Sequence, residues 1–336
     1  MQEPVDTATR IALRVGAEAL LSASDDALHP PQSEAWWEHE TFWFWFYEPT
    51  RKLGGWIYHY VRPNIGVSGG GVFLFDGSSW SHLEAPYYLN YSNMPAPTAS
   101  ASSLKFANSF TLETLAPLSH YRLTYKDRDT LTLALDWRAI MAPWADQRGA
   151  PPALWHFDQF GRVTGELVLH GERIAIDCLA MRDRSWNHLR PEPWKEGWGG
   201  GTYATAAASP QHAFYGAGAG GFVVLDGVQA PLVTGQMKRT RDAQHGFMRE
   251  IEIEAKDTLG RSLMVRGESV SRLAMPISGC QGVCWTSLVR YTINGVEAWG
   301  DDQDAWPLQN WAAMRRRQAG LTDVRAARAP ATDEIA

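Results

Sequence analysis

From Trp36 to Trp299 the chain repeats one pattern, a short β-forming run closed by a turn signal, and no other feature constrains its fold as much. The runs include Phe110–Leu115, Tyr121–Tyr125, Thr130–Trp137, Val163–Leu169, Arg173–Met181, Phe222–Leu225, Phe247–Ala255, Ser262–Val270, Trp285–Ile293 and Val296–Trp299. They are rich in branched and aromatic residues, which suit a pleated surface. Between them stand Asp76-Gly77, the polar Lys126–Asp129, His170-Gly171 and Asn294-Gly295, the last a strong signal for a tight hairpin. Successive strands without long intervening helices predict an antiparallel sandwich or barrel rather than a parallel α/β sheet. The hairpin pattern of Tyr121–Leu133 has a counterpart in Ile251–Leu263, as an internal duplication would leave.

The stretch Trp36–Tyr47 reads as a strand with aromatic residues on both faces. Trp37, His39, Thr41, Trp43, Trp45 and Tyr47 share one face; Glu38, Glu40, Phe42, Phe44 and Phe46 share the other. Such a strand must be covered on both sides. Trp56–Val61 is its expected hairpin partner, and Gly69–Gly71 leads into a third strand, Val72–Phe75. Tyr87–Ser103, rich in Pro, Ala and Ser, is expected to form a loop or lid. Helix is expected only at the two ends. Residues 1–28 read as a short amphipathic helix with Ile11, Val15 and Leu20 on one side, broken by His29-Pro30-Pro31. Leu308–Arg317 reads as a helix closed by Gly320, before a disordered tail over 319–336.

A length of 336 residues suits about two domains. A net charge of −6 argues against a nucleic-acid or anionic-membrane binder. Three cysteines make no disulfide framework; Cys280 and Cys284 share a face but are too far apart to bridge, and Cys178 lies elsewhere. A reducing, cytoplasmic location is expected. Asp6, Arg10, Arg14 and Glu18 interrupt the apolar stretch a signal peptide would need, and no run approaches the ~20 apolar residues of a membrane span. Sixteen Trp fit either a large β core or rings lining a ligand cavity.

Several motifs fail on context. Gly216, Gly218 and Gly221 fit the dinucleotide pattern, but a strand, Phe222–Leu225, follows where a helix N-terminus should aim at pyrophosphate. Gly66-Val67-Ser68-Gly69-Gly70 fits a nucleophile elbow yet also runs into a strand. No His pair has zincin spacing and there is no C-x-x-C, so neither metal nor other cofactor is expected. Asp301, Asp302 and Asp304 read as a solvated turn rather than a cation loop.

The richest cluster is Met181–His188, where Arg182, Asp183, Arg184, Ser185, Trp186, Asn187 and His188 end an apolar strand. It reads either as a structural Arg–Asp pair or as a carboxylate at a cavity mouth whose charge the arginines set. Together with His156–Leu167, Gly171-Glu172, Trp37, Glu40, Arg62–Gly66 and Trp299-Gly300, this cluster resembles bacterial lipocalin-like proteins of uncharacterised activity. Those are distant relatives of the acyclic carotenoid hydratases (hydroxyneurosporene synthases) and of lipocalin-like Diels–Alderases. The resemblance implies an all-β chain of two tandem lipocalin-like antiparallel β-barrels, at 29–190 and 191–318, with short N- and C-terminal helices and a ligand pocket in or between the barrels.

The hydratases carry a pattern like His-Asp-His-Asn-Trp-Gly at this point, of which the chain keeps Asp183 and Trp186. Arg182 and Arg184 stand where the histidines would be, Ser185 for Asn and Asn187 for Gly. A flanking arginine favours ionised Asp, which suits a base or an ion pair. The function expected is a cofactor-independent lyase (hydratase) or isomerase acting by acid–base chemistry on a hydrophobic terpenoid, steroid-like or aromatic molecule. Asp183 and Glu40 would be its catalytic carboxylates. Trp186, Arg182, Arg184, Tyr58, His59, Trp43 and His188 would bind substrate. The alternatives are a non-catalytic intracellular carrier of the same ligand and a scaffold without one. A homodimer is compatible with the chain.

Overall fold

The computed structural model describes residues 6–12, 21–78, 80–148, 154–189, 201–217, 220–277 and 282–320. The chain divides into two compact units, one of Val15–Phe75 with Ala85–Arg190, the other of Met1–Arg14, Asp76–Glu84 and Pro191–Ala336. The first strand, β1 (Asp6–Ala12), belongs to the second unit. No described helix is long and apolar enough to cross a membrane.

The N-terminal unit is a single curled sheet of twelve antiparallel strands. In chain order they are β2 (Glu38–Glu48), β3 (Leu53–Arg62), β4 (Val67–Phe75), β5 (Tyr87–Pro95), β6 (Thr98–Ser100), β7 (Ser103–Lys105), β8 (Thr111–Ala116), β9 (His120–Asp127), β10 (Leu131–Ala139), β11 (Trp144–Arg148), β12 (Leu154–Leu169) and β13 (Glu172–Leu189). Across the sheet the order is β5-β4-β3-β2-β13-β12-β10-β9-β8-β7-β6, with β11 on the free edge of β12. Curling brings the ends of this order together: Tyr87 on β5 bonds through its hydroxyl to that of Tyr125 on β9 at 2.6 Å. The concave face carries Phe42, Phe44, Leu133, Leu135, Trp137 and Phe157, all buried. β2 is buried along nearly its whole length, as expected of a strand apolar on both sides. Gly54 and Gly55 on β3 make this possible, because a Cβ there would collide with the rings of Trp45, Phe75 and Phe46.

The C-terminal unit is a closed barrel of eight strands: β14 (Gly201–Ser209), β15 (His212–Ala217), β16 (Gly220–Leu225), β17 (Val228–Arg241), β18 (Met248–Asp257), β19 (Ser262–Ile277), β20 (Gly282–Ile293) and β21 (Val296–Pro307). Their order is β17-β16-β15-β14-β21-β20-β19-β18, and pairing of β17 with β18 closes the ring. An apolar cluster including Phe214, Met237, Ile251, Val265 and Tyr291 fills the lumen. The helix α1 (Leu308–Gln318) follows, with Gly320 at φ 70° beyond it, as its end signal predicts.

The all-β architecture stands, with differences. The expected N-terminal helix is overturned, since residues 6–12 are strand β1, paired antiparallel with β17 from Asp6↔Thr240 to Ala12↔Thr234. Thr7, Thr9 and Ile11 alternate, and the second half of β17, already paired with β18 on one side, offers its other edge. Tertiary pairing therefore overrides a weak helical period. The expected loop or lid at Tyr87–Ser103 is instead β5, β6 and the start of β7. Asp301, Asp302 and Asp304 are fully buried in β21 and are no solvated turn. The tail expected to be disordered lies, beyond Gly320, outside the described residues.

The motifs set aside on context stay set aside. Ser68 is buried in β4 and donates to the Pro95 carbonyl at 2.7 Å, which leaves no elbow. Gly221 sits in β16 at φ 146°, where a Cβ would meet the Tyr215 carbonyl; the glycine serves a close strand crossing. Cys178 and Cys284 are buried free thiols, and Cys280 lies outside the described residues.

Candidate functional site

Alternation along β13 decides where the predicted site residues go. Arg182, Arg184 and Trp186 point to the concave face; Asp183 and Ser185 point to the opposite one. The arginines next to Asp183 in sequence are thus not its partners in the way the sequence suggested, and they do not set its charge from the same face.

On the concave face Arg182 lies among aromatic rings, 4.1 Å from the Tyr121 centroid and 4.8 Å from that of Phe157. It donates from Nε to Gln159 at 3.1 Å, from Nη1 and Nη2 to Asp26 at 3.2 Å, and from Nη2 to the Tyr121 hydroxyl at 2.6 Å. Arg184 stands 4.0 Å over the Phe42 ring and donates to Glu40 at 2.5 Å and to the Ala27 carbonyl. Glu40 also accepts from the His29 backbone at 3.1 Å and lies 2.6 Å from His29 Nδ1. The His29 ring stacks on Trp186 at 4.5 Å, within 3° of parallel. Burial pushes the Glu40 carboxyl up, but Arg184 and His29 outweigh it and hold the group below the usual carboxylate range. The strap Ser22–His29, with the short 3-10 turn Ala23–Asp26, therefore supplies much of what this cluster binds.

The opposite face holds a different set. Strand register lines up Trp43, Asp183, Asp158 and Trp144 across four neighbouring strands. His156, two residues before Asp158, bonds to it through Nε2 at 3.1 Å and to Ser185 Oγ through Nδ1 at 2.7 Å. In the neutral ring Nε2–H donates to the carboxylate and Nδ1 accepts from the hydroxyl. Asp158 is buried, and its Oδ1 has no hydrogen-bond partner. Asp183 is half-buried. Each of His156, Asp158 and Asp183 presents a ligand atom within 4.8 Å of the others, so the three could hold a hard or borderline divalent cation.

Glu40 and Asp183, expected as the two catalytic carboxylates, are thus separated by the sheet. With Glu40 go Arg182, Arg184 and Trp186; with Asp183 goes Trp43, its direct neighbour on β2. Tyr58 is registered opposite Trp43 on β3. His59 points to the concave side, stacked on Phe110 at 4.2 Å and bonded to Asn108, and burial pushes its imidazole down to about 3. It is a neutral core histidine. The His188 side chain lies outside the described residues. Trp43, expected to bind substrate, is packed core at 1% exposure, and so are Trp45 and Trp137. Two hollows formed by described residues lie elsewhere, one of about 490 Å³ beside Thr98–Ser100 and one of about 180 Å³ beside Phe247 and Arg272.

Asp26, His29, His156 and Asp158 were missed as site residues. His156 and Asp158 had one usable signal, their i, i+2 spacing on a strand expected to pair with the one bearing Asp183. Asp26 and His29 had none, because they fell at the end of a supposed helix.

The structure resembles lipocalin-like two-barrel proteins. Kievitone hydratase from Nectria haematococca superposes with a TM-score of 0.52 at 12% identity, over 91% of this chain and 98% of that one. CghA superposes with a TM-score of 0.54 at 10% identity, over 89% and 98%, and its complex with Sch210972 gives 0.53 at 11% over the same shares. These likenesses carry the fold. No protein of curated function matches the chain in sequence. The model of a domain of unknown function, DUF7064, matches residues 22–307, from the strap to the end of β21, and the chain belongs to that family.

Proposed function

We propose that the chain is an enzyme, a lyase of the hydratase kind or an isomerase, that moves a proton on a hydrophobic small molecule through Asp183 without a cofactor. One observation carries this reading: the half-buried Asp183 carboxylate beside a half-buried His156 bonded to a buried Asp158, on two neighbouring strands, next to Trp43. Rigid strands hold such groups in place better than loops do. Asp158 orients His156 and Ser185 holds its other nitrogen, and Asp183, half-buried, is the carboxylate of this set placed to meet a ligand. The fold neighbours support the reading, since one of them is a hydratase. Glu40 we assign to structure, because it is buried and committed to Arg184 and His29.

Small molecules that co-purify with the protein, identified by mass spectrometry, supply the substrate for the test. Asp183→Asn should fold normally, retain the ligand and lose roughly two to four orders of magnitude in turnover, the usual worth of a general acid or base. An unchanged rate in a folded variant would remove Asp183 from the mechanism. A retained ligand that wild type never converts would make the protein a carrier.

A further inference from the structure

Buried arginines in this chain have carboxylate partners: Arg182 with Asp26, Arg184 with Glu40, Arg239 with Asp302 and Arg241 with Asp304. Arg272 on β19, in the C-terminal unit, does not. It is half-buried, and among the described residues no carboxylate lies within ion-pair distance. Its guanidinium rests 4.2 Å over the Phe247 ring and 5.5 Å from that of Trp80. Trp80 in turn stacks on His245 at 4.0 Å, and the segment bearing it bonds to β19 through Ala274. Arg272 Nε is buried without a partner, and Nη2 has the Val270 carbonyl at 3.5 Å, the limit of a hydrogen bond.

Arg272 lines the hollow of about 180 Å³ with Phe247, Arg249, Glu250, Glu268 and Ser269. The Ser269 hydroxyl is also buried without a partner, at a bulge where β19 shifts register against β20. Burial pushes Arg272 down and Arg249 adds to it; Asp242 opposes from a distance. A desolvated cation and an orphaned hydroxyl on an aromatic floor are what an anion would satisfy. Glu250 and Glu268 face each other across β18 and β19, the latter paired with Arg290 at 3.1 Å. Their charge disfavours a dianion.

We propose that this hollow binds a carboxylate carried on a flat apolar ring, with the carboxylate on Arg272, Arg249 and the Ser269 hydroxyl and the ring against Phe247. The site is separate from Asp183 and does not depend on the function proposed above. Ligand-observed NMR titration of the full chain with benzoate, inorganic phosphate and benzyl alcohol tests it. Benzoate should bind saturably, and the other two at least tenfold more weakly. Arg272→Gln should weaken benzoate at least tenfold. Arg249→Gln and Ser269→Ala, which remove less from the fold, should each weaken it about threefold or more. The proposal is overturned if benzoate shows no saturable binding, if phosphate or benzyl alcohol binds as tightly, or if benzoate affinity survives in the folded variants.

Discussion

Each unit carries a two-step arginine ladder on one strand, and the two ladders are neutralised differently. In the C-terminal barrel Arg239 and Arg241 on β17 meet Asp302 and Asp304 on β21, at 2.7 Å for Arg239 Nη2 to Asp302. β17 and β21 are four strands apart whichever way one counts round the ring, so these pairs span the lumen. Trp306 Nε1 also donates to Asp304 at 2.7 Å, and Arg241 to the Gly246 carbonyl at 3.1 Å. In the N-terminal unit Arg184 has Glu40 on the adjacent strand, but Arg182 has Asp26, which comes from outside the sheet. One ladder is satisfied by the barrel wall and closes the lumen as core. The other depends on a strap, and what a strap satisfies can be undone without breaking a strand. The lesson is that buried charge can act as a fastener in one barrel and as a latch in the next.

The contrast can be sharpened within β21 itself. Asp302 and Asp304 face the arginines; Asp301 faces the other way, toward Thr286 at 2.6 Å and Gln303 at 2.8 Å, with no cation among its bonds. For Asp304, burial is outweighed by Arg241 and Arg239, and its carboxyl stays low. For Asp301, burial wins and pushes it up to about 8. The unfolded carboxyl ionises near 3.9. Between those values the folded chain holds a proton that the unfolded chain lacks. The Asp301 contribution to stability is thus greatest below about pH 4, declines as pH rises and is gone above about pH 8. Asp301→Asn removes that slope. Its stability relative to wild type should rise by roughly a kcal/mol per pH unit across the window, the largest effect expected here. Urea titrations at pH 5, 6.5 and 8 measure it, and parallel curves would overturn it.

Next in size is the C-terminal ladder. Asp302→Ala takes from the buried Arg239 guanidinium the carboxylate 2.7 Å away, and should cost about 3–5 kcal/mol in urea denaturation. Replacing both partners, Arg239→Met with Asp302→Leu, should recover most of that loss, because two buried charges and their desolvation go together. A single substitution costing under about 1 kcal/mol would mean that water reaches Arg239 and that this lumen is not sealed.

Much of this was legible in the sequence and some could not be. Strand identity was readable from alternation, as in β9, β10 and β18–β21, and the Asn294-Gly295 turn falls between β20 and β21 as predicted. The same alternation, applied strictly to β13, already puts Asp183 on the opposite face from Arg182 and Arg184; the error was to treat neighbours in sequence as neighbours in space. Strand β1 was not readable, because its pairing edge lies more than two hundred residues away on β17. Nor was the burial of Asp301–Asp304, since an acidic run reads as solvated until the arginines opposite it are known. The cross-strand meeting of Asp158 with Asp183 was legible in principle, because the two-residue His170-Gly171 turn sets Leu169 opposite Glu172 and the register runs unbroken from there.

The strap gives the smallest effect and the most direct test of the comparison. Asp26→Asn removes the charge that faces Arg182 and keeps one acceptor oxygen, which can serve either Arg182 or the Leu118 backbone and Tyr121 hydroxyl, since these bond to different carboxylate oxygens. Arg182 also keeps Gln159 and its aromatic neighbours. The loss should therefore be about 1–3 kcal/mol, the range for a hydrogen bond to a charged group and less than for Asp302→Ala. It should also be local. Hydrogen exchange at Ala23–His29 should speed up strongly, while the central strands β2, β12 and β13 stay protected, because the strap can leave without breaking the sheet. In the C-terminal barrel no such division is available, and Asp302→Ala should raise exchange across β17 and β21 together. If Asp26→Asn instead lowers protection throughout the N-terminal sheet, the strap is part of the core and the two ladders are alike.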